Sequence, residues 1–169
     1  MNPLVWFQQD PLHRAVAAGM GSAALLVTAF AFQYIGGLEP CALCILQRWP
    51  HLGAALAAAW LWTRRGHPDA VGAFAVGTLM AGLAFLAAAF HVGVELGAWS
   101  SPFGCGLPDW SDPNLAQTLT TKVPVDCSQP AWTFLGHSMA AWNAVLSSTL
   151  AGLWAGSWVA HHRATATQP

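Results

Sequence analysis

Four cysteines and one arginine are the residues of this 169-residue chain whose types and spacing could do chemistry. Cys41 and Cys44 form Cys-Ala-Leu-Cys directly behind Pro40, and Arg48 follows four residues after Cys44. A Cys-x-x-Cys that opens a helix sits among unpaired backbone N–H groups at the positive end of the helix dipole, which stabilises a thiolate. On that helix Cys41, Cys44 and Arg48 share one face. A cation one turn below a thiol favours the thiolate and can also hydrogen-bond an acceptor oxygen. The chemistry in view is that of a reactive dithiol.

The other two cysteines, Cys105 and Cys127, bracket the middle of a long polar segment. A bridge between them would close a loop of about 23 residues and contribute about 3 kcal/mol by loop entropy, so a purely structural staple is one reading of that pair. A Cys41–Cys44 bridge closes a single helical turn and restricts the unfolded chain much less, which argues for chemistry there. Four cysteines could also hold zinc, but the 61-residue gap between Cys44 and Cys105 and the lack of a second Cys-x-x-Cys count against it. No metal is expected.

The elements that must position these residues follow from composition. Hydrophobic residues make up 55% of the chain and charged residues 8%, with 6 Lys+Arg against 7 Asp+Glu. A soluble domain carries about 25% charged residues, so these charges cannot cover a water-facing surface. A net charge of −1 excludes a basic nucleic-acid footprint. Apolar runs over 15–38, 70–94 and about 131–160 each exceed the ~20 residues that cross a bilayer as a helix. The run between Arg48 and Arg64 is only 15 residues, about 22 Å, and becomes long enough only when extended back to Cys41. Arg48 then lies about two turns inside a span, where it must snorkel or find a partner.

No run alternates with period 2, so backbone satisfaction in lipid selects helices. The expected fold is an all-α membrane protein, a four-transmembrane-helix bundle in a single domain. Its helices fall at about 15–37, 42–63, 70–91 and 137–160, with a long loop over about 92–136 between helices 3 and 4. Small residues at four-residue spacing, Ala73, Gly77 and Ala81 and then Ser148, Gly152 and Gly156, suggest faces of close packing.

Arg14, Arg64, Arg65 and Arg163 flank alternate sides of the spans and put both termini in the cytoplasm. All four cysteines then fall on the outer side, which in bacteria is oxidising and permits disulfides. A cleavable signal peptide ending at Ala29-Phe-Ala31 is the competing reading of the first run, but its apolar stretch exceeds a signal core. In the outer loop, Leu115 and Leu119 with Trp110 nearby would form either a short amphipathic piece on the membrane or ordinary loop.

An oxidant that meets Cys44 and Arg48 from the hydrocarbon must be lipid-soluble. A quinone fits, because its carbonyl oxygens gain negative charge on reduction and Arg48 would be placed to bind one. Pro50 removes a hydrogen bond to the Leu46 carbonyl and could kink or widen the helix there. His91 and Glu95, at i,i+4, read either as a proton route or as an interfacial polar cap. His137 and Asn143 read as packing or interface groups rather than ligands. The remaining histidines are expected at the cytoplasmic ends among lipid headgroups.

The sequence resembles the disulfide bond formation protein B family, the bacterial inner-membrane thiol:quinone oxidoreductases. The resemblance rests on Glu39-Pro-Cys-Ala-Leu-Cys-Ile-Leu-Gln-Arg48, on Ser101-Pro-Phe-Gly-Cys105, on Cys127 and on Trp132-Thr-Phe-Leu-Gly136. With four spans in matching order it covers nearly the whole chain. Vitamin K epoxide reductase relatives share four helices and a Cys-x-x-Cys, but there the motif is expected late in the bundle.

The resemblance implies two redox-active disulfides, Cys41–Cys44 and Cys105–Cys127, acting as a relay. A soluble periplasmic thioredoxin-like dithiol oxidase would attack the Cys105–Cys127 bond and form its mixed disulfide through Cys105. Cys127 would then engage Cys41. Cys44 would face ubiquinone or menaquinone as electron acceptor, with Arg48 polarising a ring oxygen. The alternative from a different class is a non-catalytic four-helix scaffold or assembly factor with a disulfide-stapled external loop, which has no reason to hold Cys-x-x-Cys one turn above Arg48.

Overall fold

The computed structural model describes residues 10–65, 67, 69–102 and 125–166. They form four long helices, α1 (Pro11–Tyr34), α2 (Ala42–Thr63), α3 (Ala70–Glu95) and α4 (Met139–Ala166), with a two-stranded hairpin of β1 (Thr133–Phe134) and β2 (His137–Ser138) just before α4. Cys105 and the Trp110, Leu115 and Leu119 segment lie outside the described residues.

Each helix boundary has a local cause. The first helix begins four residues ahead of its expected start because the Asp10 carboxylate accepts from the Leu12 N–H at 2.9 Å and Pro11 occupies the first turn. Helix α2 starts where Cys41 caps it, its sulfur accepting from the Cys44 N–H at 3.2 Å. Helix α3 runs one turn beyond His91, to Glu95. The fourth starts at Met139 rather than 137, because His137 and Ser138 are spent on pairing with Phe134 and Thr133. The two residues between those strands, Leu135 and Gly136, both take positive φ (51° and 77°), as a two-residue hairpin turn requires.

The helices pack in cyclic order, each against its two neighbours, and the diagonal pairs barely meet through the backbone. Between α2 and α3, the Arg64 guanidinium donates to Asp69 Oδ2 at 2.8 and 3.1 Å and holds that carboxyl below the usual carboxylate range. One end of the bundle has a core of small residues, Ala15, Ala18, Ala57, Ala58, Ala73 and Ala81, closed around Phe74 and Trp154. Small side chains let the helices approach closely, which is how association is driven where lipid removes the hydrophobic incentive. A Cβ on Gly77 would collide with the Trp154 ring, and one on Gly19 with Ala58. Ala73, Gly77 and Ala81 are thus a packed stripe. Ser148, Gly152 and Gly156 are not: all three are exposed, and α4 turns Ala140, Ser147, Trp154 and Ser157 inward instead. Four-residue spacing gives a stripe without saying which side of the helix it occupies.

The outside of the bundle is apolar. On α2, Ile45, Trp49, Leu52 and Leu56 are all exposed, while Gln47 and His51 are buried on the opposite face. This inverts a water-soluble helix and suits hydrocarbon surroundings. Helices α1 and α3 are long and apolar enough to cross a bilayer. In α2 the buried Gln47 and His51 and the half-buried Arg48 dilute the same signal.

Candidate functional site

At the end of the bundle opposite the alanine core lies a second buried cluster: Cys41, Leu43, Val94 and Cys127, with Cys44, Phe90 and Val125 against it. The extended backbone of Cys41 (φ −71°, ψ 168°) turns the chain into α2 and leaves both sulfurs of the motif on the same side, 2.6 Å apart. The two sulfurs are not bonded to each other in this structure. One helical turn already brings the sulfurs near bonding range, and closure to ~2.05 Å asks for a small movement only. Cys127 is fully buried and is disulfide-bonded. Its expected partner, Cys105, lies outside the described residues.

Two sequence-level ambiguities resolve at this cluster. His91 is no interfacial cap: it is 4% exposed, with Nε2 3.7 Å from Cys41 Sγ and 4.0 Å from Glu95. Its other nitrogen, Nδ1, accepts from the Gln47 amide N–H at 2.8 Å, so Nε2 carries the hydrogen, with the Cys41 sulfur, the Glu95 carboxylate and the Cys127 backbone as its acceptors nearby. Glu95 in turn accepts from the Ser138 hydroxyl, which ties the α3 terminus to the hairpin. Arg48 is the second case. It does not snorkel alone; its guanidinium donates to Gln33 Oε1 of α1 at 2.6 Å and sits 4.8 Å over the Phe30 ring. The C-terminal end of α1, through Gln33, and the second turn of α2, through Arg48, are thereby joined.

Gln47 anchors a longer chain of hydrogen bonds. Its N–H groups reach the Leu43 carbonyl (3.0 Å) and His91, while its oxygen accepts from Asn143 Nδ2 of α4 at 2.6 Å. Asn143 Oδ1 then accepts from His51 Nε2 at 3.0 Å and from the Ser147 hydroxyl at 3.1 Å. These side chains bridge α2 to α4 across the diagonal that the backbones leave open. His51 is 4% exposed, so its assignment to the lipid headgroups is corrected: it faces the bundle interior. Asn143 is a packing group, as read, but one that holds two histidine-bearing elements together. Gln33, Gln47 and His51 were missed as site residues. The signal was there in each case, a polar side chain inside an apolar run, and for Gln47 and His51 a position three and seven residues after Cys44. His137 is exposed, with its ring nitrogen 3.0 Å from the Leu135 carbonyl oxygen.

Beside Cys44 is a cavity of about 330 Å³, bordered on its polar side by Glu39, Gln47, Arg48, His51, His91 and Asn143 and elsewhere mostly by apolar side chains of α1, α4 and the segments before α2 and α4. The Trp132-Thr-Phe-Leu-Gly136 segment supplies one wall. Phe32 packs on Trp132 at 5.1 Å, Trp132 stacks on Phe134 at 5.8 Å, and Trp142 donates its N–H to the Phe134 carbonyl at 3.0 Å. An apolar slot with a few convergent polar groups is the usual form of a small-molecule site. Two side-chain atoms there, Arg48 Nε and His51 Nδ1, are buried without a partner among the described residues, and the Arg48 donor suits a flat, apolar ring bearing carbonyl oxygens. Cys41, Cys44 and His91 also bring three donor atoms within 4.8 Å of one another. A soft metal could close on them only by taking the His91 Nε2 position, which the Gln47 hydrogen bond keeps protonated.

A helical membrane protein whose Cys-x-x-Cys shares a buried cluster with a third cysteine and borders a cavity has the make-up of a membrane oxidoreductase that handles disulfides. The family model described as Disulfide bond formation protein DsbB matches residues 13–156, and the chain belongs to that family. It is 36% identical to Disulfide bond formation protein B of Marinobacter nauticus over 144 residues, covering 76% of this chain and 80% of that one. Against the protein of the same name from Methylococcus capsulatus it is 37% identical over 134 residues, 71% and 77% of the two chains. With the Xanthomonas oryzae pv. oryzae protein it shares 36% identity over 166 residues, 92% of each.

Proposed function

We propose that the chain is a protein-thiol:quinone oxidoreductase of the bacterial inner membrane, with four spans, both termini cytoplasmic and its cysteines on the periplasmic side. It reoxidises a periplasmic thioredoxin-like dithiol oxidase and delivers the electrons to ubiquinone or menaquinone. The net reaction is partner dithiol plus quinone giving partner disulfide plus quinol, two electrons and two hydrogens moving together.

The observation that carries this reading is the double placement of the dithiol. Cys41 shares a buried cluster with the disulfide-bonded Cys127, while Cys44, one turn on, borders the cavity with Arg48. Electrons that arrive at Cys127 therefore have a neighbouring sulfur to go to, and those that leave Cys44 have a lipid-facing slot beside them. Thiol–disulfide exchange needs only a thiolate reaching the next disulfide in turn. The partner's thiolate opens Cys105–Cys127 at Cys105. The freed Cys127 thiolate attacks Cys41 of the closed Cys41–Cys44 disulfide, forming Cys41–Cys127 and expelling Cys44 as the thiolate, while the partner's second thiol resolves its bond to Cys105.

Within the site the residues have separable work. The His91 Nε2–H faces Cys41 Sγ and stabilises negative charge there as bonds exchange. Glu95, 4.0 Å from the same nitrogen, is the group that could take or return its hydrogen. Arg48 holds a positive charge at the cavity wall, secured by Gln33. A quinone bound there would supply the two-electron acceptor.

The test is turnover in vesicles. Full-length protein reconstituted with ubiquinone should oxidise a reduced thioredoxin-like oxidase over many cycles and should stop when quinone is omitted. Turnover that is indifferent to quinone refutes the reading.

A further inference from the structure

The hydrogen-bond chain through Asn143 leaves one atom over. Asn143 Nδ2 is committed to Gln47, so its oxygen is the acceptor for His51, and His51 carries its hydrogen on Nε2. Nδ1 of His51 is thus a bare lone pair, buried, with no partner among the described residues, on a side chain that borders the cavity. The residue is 4% exposed, so bulk water does not satisfy it. His51 lies three residues after Arg48 and seven after Cys44, on the same face of α2. Two side chains that border the cavity, Arg48 and, one turn on, His51, thus carry a donor at Nε and an acceptor at Nδ1 with no partner among the described residues.

We infer that His51 Nδ1 is the acceptor for a hydroxyl hydrogen of a dihydroxy-aromatic ring, a quinol, and so recognises the reduced rather than the oxidised form. The inference rests on the thiol:quinone reading and deepens it. A quinone presents two carbonyl acceptors, and an acceptor facing His51 Nδ1 gains nothing. When Cys41 and Cys44 close, two S–H bonds break, one S–S bond forms, and the two electrons and two hydrogens end as two O–H bonds of the quinol. One of those O–H groups is the partner that His51 lacks. An interaction made only with the product shifts the bound pair toward reduction. Each tenfold of preference for quinol corresponds to about 30 mV in its midpoint potential.

The experiment is equilibrium binding to the detergent-purified full-length chain, read by tryptophan fluorescence, with short-chain ubiquinol and ubiquinone titrated separately. His51→Phe should weaken quinol binding about tenfold, the usual scale of one hydrogen bond made in a buried site, and leave quinone binding within about twofold. His51→Asn, whose amide oxygen can stand in for Nδ1, should recover most of the loss. Wild-type protein should also bind the dimethyl ether of the quinol, which has no O–H, about tenfold more weakly than the quinol itself, a comparison that needs no variant to fold. Equal loss of quinol and quinone in His51→Phe, or equal binding of quinol and its ether by wild type, overturns the role of His51 alone. Wild-type protein that binds neither ring overturns the quinone reading with it.

Discussion

The Gln47 amide stands 2.8 Å from His91 Nδ1, and that one hydrogen bond decides which nitrogen faces the Cys41 sulfur. An amide N–H can only donate, so His91 accepts there and presents Nε2–H to the thiol at 3.7 Å. Replacing Gln47 by Leu removes the constraint and strands Asn143 Nδ2 in the interior. The expected result is a roughly tenfold slower exchange between Cys127 and Cys41 in rapid-quench alkylation, and a stability loss of about 1–3 kcal/mol in detergent unfolding. Exchange at the wild-type rate would remove His91 from the chemistry.

Cys44→Ser separates the two halves of the relay. It should abolish quinone reduction, while a mixed disulfide between the soluble oxidase and Cys105 can still be trapped and seen on a non-reducing gel. Wild-type quinol formation in this variant would contradict the order assigned to the cysteines.

Arg48 is held by Gln33 at 2.6 Å and borders the cavity, and its Nε has no partner among the described residues. A charged hydrogen bond to a ligand oxygen contributes about 1.5–3 kcal/mol, so Arg48→Ala should raise the apparent quinone KM about tenfold or more. Steady-state kinetics with varied ubiquinone check this. An unchanged KM would make Arg48 a membrane anchor only.

The packing stripe on α3 is tested away from the site. Gly77→Val places a side chain where the Trp154 ring lies, and overpacking of this kind costs about 1–3 kcal/mol. Gly152→Ala, on the exposed face of α4 with nothing within 4 Å, should be neutral or stabilising by up to about 1 kcal/mol. Thermal unfolding in detergent distinguishes them. Equal behaviour would mean that the two glycines occupy equivalent surroundings.

The cysteine motif, Arg48 and the apolar runs were legible in the sequence because each is a local signal: a spacing, a charge in hydrocarbon, a length. What stayed hidden was relational. Nothing in the order of residues says that Asn143 reaches Gln47 across the bundle, since the two lie 96 positions apart. His51 was read as an interfacial residue, yet it is the inward face of α2 that carries it. Its distance from Cys44 along the helix held the clue, and only the exposed Ile45, Trp49 and Leu52 opposite show which face is inside. The two small-residue stripes had identical spacing, and only tertiary packing separates the buried from the exposed one. The hairpin at 133–138 was missed because a four-residue pairing has too short a pattern to register, although Gly136 marks its turn.

The central claim is that electrons taken from a protein dithiol leave as quinol. It is tested most directly by a single anaerobic turnover: excess reduced thioredoxin-like oxidase is mixed with the fully oxidised, quinone-loaded protein. Quinol is followed by absorbance while partner disulfide is counted by thiol labelling. The account predicts one quinol per catalytic chain carrying one quinone, formed at the same rate as Cys41 and Cys44 close again. Partner disulfide accumulating in step with reduced Cys41 and Cys44, with no quinol appearing, would contradict it.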